Sequence, residues 1–211
     1  MNRTTLRGAF ASAAIAAALV TITACGGQTA PAAPAPAPAA PSSAPSSAPA
    51  GEHVDADVTF VKGMIPHHSQ AVDMAKLAAA STTNPKVLDL AARIEKAQAP
   101  EIRTMQEFLT SWGMPAADTS GGMGGMAGMD HGGSPGGMMS DTQMQQLGQV
   151  RGAEFDRMFL TMMIEHHNGA VQMAETELAS GRNAEAKKLA QAIIDAQRAE
   201  IAEMNTLLTS G

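Results

Sequence analysis

The feature that most constrains this chain is an internal echo. "MIPHHSQAVDMA" begins at Met64, and "MIEHHNGAVQMA" begins at Met163, 99 positions later. The same offset aligns Asp57 with Asp156, Phe60 with Phe159, Ile94 with Ile193, Gln98 with Gln197, Glu101 with Glu200, Ile102 with Ile201 and Met105 with Met204. No gap is needed from Asp57 through Leu109. Such a chain is a duplicated supersecondary unit, with too few copies at too long a period for a solenoid.

Each unit reads as two helices. Phe60, Met64, His67, His68, Ala71, Met74 and Ala75 recur at three- and four-residue spacing, which gathers them on one face. The segment "STTNPK" from Ser81 supplies breaker and capping residues. A second helix then carries Ile94, Gln98, Glu101, Ile102, Met105 and Leu109 on one stripe. Pro66 marks either a kink or a late start of the first helix. Two αα-hairpins with apolar faces bury them against each other, so the expected fold is an all-α four-helix bundle with a pseudo-twofold axis. It spans residues 55–211, with repeat 1 over about 57–109 and repeat 2 over about 156–208.

The two stretches outside the repeats have different chemistry. Residues 1–24 carry Arg3 and Arg7, an Ala-rich apolar run and a small-residue site before Cys25, the pattern of a secretory signal. "ITAC" resembles the bacterial lipobox, in which the cysteine receives lipid, and Cys25 is the chain's single cysteine. The expectation is a lipoprotein anchored to the membrane on the extracytoplasmic side, in a periplasm or cell envelope. Residues 25–54, rich in Ala, Pro and Ser, have too little to bury to fold and read as a stalk. A formal net charge of −6 with 3% aromatics and no basic cluster argues against nucleic-acid binding.

The linker between repeats, residues 113–141, is glycine-rich and methionine-rich. Its glycines disfavour helix, so Met123, Met126, Met129, His131, Met138 and Met139 are expected on a flexible, solvated ribbon. Thioether and imidazole bind copper without thiolate: soft sulfur selects Cu(I), and imidazole accepts either oxidation state. Outside the cell that choice avoids oxidation of thiols. In the bundle, Met64, His67, His68 and Met74, with Met163, His166, His167 and Met173, form a second ligand set. Methionine in helices is commonly core filler, but four imidazoles in one core are costly to desolvate without a bound ion or carboxylate partners.

Gln98, Glu101, Gln197 and Glu200 are either partners that orient the imidazoles or inter-helix hydrogen bonds that fix register. Asp57 and Asp156 lie one face above Met64 and Met163, or else complement helix N-termini. Trp112 reads either as a cover over a metal or as an apolar cap on the bundle.

The two motifs resemble the M-x-x-H-H-x-x-A-x-x-M-A signature of the bacterial domain-of-unknown-function 305 family. The resemblance covers the chain from Asp55 onward apart from the central loop. It implies a duplicated ferritin-like bundle and an extracytoplasmic copper-binding or copper-tolerance component, with copper as the ion bound and copper-handling envelope proteins as partners. The eight motif residues named above are those it carries over. A di-iron oxidase would need Glu-x-x-His on two helices, a pattern the chain lacks; neither hydrolytic triad nor phosphate loop is recognisable. The reading is therefore a copper-binding lipoprotein rather than an enzyme. The alternative is an envelope interaction module whose histidine pairs are structural.

Overall fold

A computed structural model describes residues 51–119 and 135–210. The signal segment, Cys25, all but the end of the stalk, and Met123, Met126, Met129 and His131 lie outside the described residues. What is described is all-α. Helix α1 runs Asp55–Ser81, α2 Pro85–Ser111, α3 Asp141–Gln149, α4 Gly152–Ser180 and α5 Ala184–Ser210. The hairpins α1/α2 and α4/α5 are the two repeats, and they meet chiefly through α1 against α4.

Local chemistry explains where each hairpin turns. Asn84 accepts from the Lys86 amide (3.1 Å) with Pro85 behind it, so α2 begins with a side-chain cap and a proline that has no N–H to lose. Its register partner Asn183 does the same for α5, accepting from the Ala186 amide (3.0 Å). At the end of α2, Gly113 adopts φ 69°, and the Met114 amide reaches back to the Leu109 carbonyl (2.8 Å).

The aspartates work across the pseudo-twofold axis. In α1, Asp57 accepts from the Val54 amide (2.7 Å) and from the Arg182 and Asn183 amides (2.9 and 2.8 Å), tying its own helix start to the start of α5. In α4, Asp156 accepts from the Asn84 side chain (2.9 Å) at the start of α2. Asp57 therefore complements helix N-termini, as one of the two sequence readings had it, while Asp156 holds the side chain that caps α2.

Three features depart from the sequence reading. Helix α1 is continuous from Asp55 through Pro66, so that residue does not mark a late start. A helix, α3, that the sequence reading did not place lies between the linker and the second repeat: Ser140 caps it through a reciprocal pair with Gln143, and Leu147 anchors it in the core. Residues 135–140 are a docked strap rather than a solvated ribbon. Met138 is half-buried and Met139 is only 4% exposed, because the Gln70 side chain takes both the Met139 amide (2.6 Å) and its carbonyl (2.8 Å).

The apolar core comes in two parts. One contains Ala71, Met74, Ala78, Leu90, Ile94, Phe155, Phe159 and Met163. The other contains Phe60, Val61, Met64, Met105, Leu109, Trp112, Ala174 and Ile193. Since α1 leaves the second cluster and enters the first while α4 does the reverse, their midpoints cross between the clusters. The histidines occupy those midpoints.

Candidate metal centre

Four imidazoles meet where α1 crosses α4. His67 is 1% exposed, and His68, His166 and His167 are fully buried. The His67 and His166 rings face each other with centroids 3.8 Å apart, and His68 and His167 flank them. Placing four polar rings between two hydrocarbon clusters is unfavourable unless their nitrogens are used.

Only some are. His68 Nε2–H donates to Glu101 (2.9 Å), and His167 Nε2–H donates to Glu200 (2.7 Å). His67 Nε2–H donates to the Gly136 carbonyl of the strap (2.7 Å). Carbonyl and carboxylate oxygens only accept, so in all three rings the proton sits on Nε2 and the lone pair on Nδ1. Each of those Nδ1 atoms is buried without a partner, and His166 lacks a partner at both nitrogens. Five imidazole nitrogens are thus orphaned in one layer. An imidazole whose far N–H is held by a carboxylate is the arrangement in which histidine serves as a metal ligand.

Burial also governs charge. Desolvation, followed by the neighbouring His68, lowers the His67 pKa to about 3, against a smaller upward pull from the Gly136 carbonyl. Desolvation, then His67 and the flanking pair, holds His166 well below its ordinary value. Both rings are therefore neutral and keep their lone pairs at any physiological pH.

The methionines divide between the two sides of this layer. Met64 and Met173 belong to the Trp112 side, and Met163 and Met74 to the Phe155 side, so each side holds one thioether from each repeat. Met173 is half-buried and lies by the strap, its sulfur 3.5 Å from where a Cβ on Gly136 would be. Met138 and Met139 lie on the strap, and Met139 packs into the Phe155-side core. Gln98 and Gln197, one turn before the two glutamates, are buried, with both amide atoms of the first and the carbonyl oxygen of the second unpartnered. No group of three or more His, Cys, Asp or Glu side chains among the described residues is disposed to hold a metal ion.

Trp112 is an apolar cap, stacked between His53 (centroids 4.8 Å) and Phe108 (5.6 Å). Sequence reasoning missed Gly136 and its docking partners. The one visible sign was position 70, where "HHSQ" faces "HHNG" and the repeat is broken inside its most similar stretch.

Several solved structures are similar to this chain. A DUF305 fragment from Deinococcus radiodurans is 30% identical with TM-score 0.65, covering 75% of this chain and 98% of its own. A DUF305 protein of Streptomyces coelicolor, described as secreted, is 31% identical with TM-score 0.64, covering 74% and 93%. CopM in its Cu(II)-bound form is 32% identical with TM-score 0.62, covering 73% and 96%, and CopM has also been solved with Cu(I) and with Ag. Among curated proteins none matches. The model of the domain of unknown function DUF305 matches residues 57–208, nearly the whole of the two hairpins, and the chain belongs to that family.

Proposed function

We propose that this protein binds copper outside the cytoplasm, with the histidine layer as its principal site. The observation that carries the reading is the set of five unpartnered imidazole nitrogens in a buried layer flanked by four motif methionines. A purely structural role for the histidine pairs would leave those nitrogens desolvated with nothing gained, at a cost of roughly 1–3 kcal/mol for each unsatisfied group. Copper-bound and silver-bound CopM, about 30% identical, supports a soft ion as the cargo. The Streptomyces coelicolor relative's description supports an extracytoplasmic location.

Within this reading, Nδ1 of His67, His68 and His167 and either nitrogen of His166 are the available imidazole donors, of which no more than two serve one ion in this arrangement. Glu101 and Glu200 hold two of the rings in the tautomer that frees those atoms. Met64, Met74, Met163 and Met173 supply thioether sulfur, which needs no deprotonation. Met123, Met126, Met129, His131 and Met138 make a weaker outer set that captures Cu(I), since a glycine-rich segment loses chain entropy on binding. Cys25 carries the lipid that holds the bundle at the membrane.

The test is Cu(I) and Cu(II) titration against a competing chelator. Replacing His67, His68, His166 and His167 with Leu is expected to weaken the tightest site by about a thousandfold or more, beyond the 10–100-fold typical of losing an outer partner. Replacing the ribbon methionines with Leu lowers stoichiometry and leaves the tight site intact. Unchanged affinity and stoichiometry in both variants would leave the interaction-module reading in its place.

A further inference from the structure

The strap has no counterpart in the duplication, and it is fitted to the histidine layer by backbone contact. Gly136 and Gly137 both hold left-handed φ values (78° and 75°), which glycine adopts without strain. A Cβ on Gly137 would lie 2.5 Å from the Glu165 carbonyl oxygen, and one on Gly169 would lie 1.7 Å from the Gly136 oxygen, so neither position has room for a side chain. Gly169 is the register partner of Gln70. At this one position, then, α4 supplies the hollow that receives the strap and α1 supplies the amide that clamps it.

We propose that residues 135–140 form a releasable cover over the His67/His166 pair, and that its release sets the rate at which a soft cation enters and leaves the layer. The proposal rests on the histidine layer being the copper site. Three observations point to a cover that opens. The strap touches the His67 ring through the Gly136 carbonyl, and its next residue, Gly137, lines an open groove of about 360 Å³ with Thr161, Glu165, Asn168, Gly169 and Gln172. Its polar attachments to α1 are few and remakeable: two hydrogen bonds to one glutamine amide and one from one imidazole. The Met173 sulfur lies against Gly136, so a soft donor already stands at the point uncovered when the strap lifts.

The docked strap also has a positional role. By accepting from His67 Nε2–H it keeps the ring's lone pair on Nδ1, so closing the cover and presenting the donor nitrogen are one event.

Gly169→Ala tests this without altering any donor. The added methyl cannot coexist with the Gly136 carbonyl in its place, and Ala favours helix over Gly, so α4 is retained while the strap is displaced. The full chain is loaded with Cu(I) and mixed with excess chromogenic chelator. Transfer from the Gly169→Ala protein is expected to be about tenfold faster than from wild type, the size expected from losing one or two net hydrogen bonds of closure. Gln70→Ala should act in the same direction. Hydrogen exchange at the Met139 amide, held by Gln70 in the docked state, reports whether the strap has lifted.

Loss of Met139 protection with an unchanged transfer rate overturns the cover. Retained protection in Gly169→Ala overturns the docked geometry and the proposal with it. Cu(I) uptake that is indifferent to His67→Leu and His166→Leu removes the underlying site instead, and so distinguishes that failure from a failure of the strap alone.

Discussion

At position 70 the first half of this molecule carries a glutamine, and at 169 the second half carries a glycine; the two ends of the bundle diverge as well. On the Trp112 side, Asp57 is fully buried and satisfied by three backbone amides, and Glu177 lies beside it, 1% exposed, its carboxyl held toward the protonated form by burial and by Asp57. On the Phe155 side, the register partner of Glu177 is Ala78, and Asp156 opens onto a cleft of about 300 Å³ lined also by Asn84, Lys86, Arg157, Leu160 and Leu207. The donors toward the centre have meanwhile stayed equivalent, down to the two His–Glu pairs. The lesson is that duplication kept the inward residue types and the two His–Glu pairs and let the covers and ends specialise. The inner layer is constrained by what must converge on it, whereas each end answers only to its local packing.

The largest expected effect separates the layer from the ends by pH. His67 and His166 have folded-state pKa values far below the 6.5 of the unfolded chain, about 3 for His67. Below pH 6.5 the unfolded state therefore binds more protons, and the metal-free bundle loses about 1.4 kcal/mol per pH unit for each ring. Glu177 behaves oppositely. Burial and the adjacent Asp57 raise it from 4.5 to about 8, so the folded state binds the extra proton and stability declines as pH rises between those values. Together these groups place the stability maximum near pH 6.5. Glu177→Gln should abolish the decline from pH 6.5 to 8, and His166→Leu should cancel the acid slope between pH 4.5 and 6.5, where the one remaining ring is opposed by Glu177. Urea midpoints across pH 4 to 9 check this, and a wild-type profile flat above pH 6.5 removes the buried-carboxyl account.

A smaller effect tests the symmetry of the layer itself. Glu101→Gln and Glu200→Gln should each weaken copper binding by about 10–100-fold through loss of ring orientation, and by similar factors. A large difference between them would mean that the two halves contribute unequally, and the side with the greater loss would be the one that holds the ion.

The smallest effect concerns the ends. Asp57→Ala strands three amides and should cost about 2–3 kcal/mol, while Asp156→Ala, with one side-chain partner beside an open cleft, should cost about 1 kcal/mol or less. Chemical denaturation of the metal-free protein decides it, and equal losses would show that the ends are interchangeable.

How much of this was legible in the sequence varies by residue. The two hairpins were, because a gap-free register with three- and four-residue spacing leaves few other ways to bury two apolar faces. The pairing of Glu101 with His68 and of Glu200 with His167 was half legible: both members lay on inward stripes, but orientation and register fixing remained equal readings until the 2.9 and 2.7 Å contacts were seen. Helix α3 was hidden because a nine-residue helix has little periodicity to read, and it depends on Leu147 reaching the core. Met139 was misjudged because glycine content describes a free segment's entropy and says nothing of a glutamine on another helix that binds its backbone.

What the sequence determined by itself was the fold class, the duplication and the identity of the inward histidines and methionines, all properties of spacing along one chain. The tertiary structure alone decided which imidazole nitrogen carries the proton, that the methionines divide one from each repeat on either side of the layer, and that a strap docks against His67. Those depend on groups about 33 to 110 positions apart in sequence meeting within a few ångströms. Only antiparallel crossing of α1 and α4 brings them together, because it superimposes the helix midpoints while sending their ends to opposite clusters.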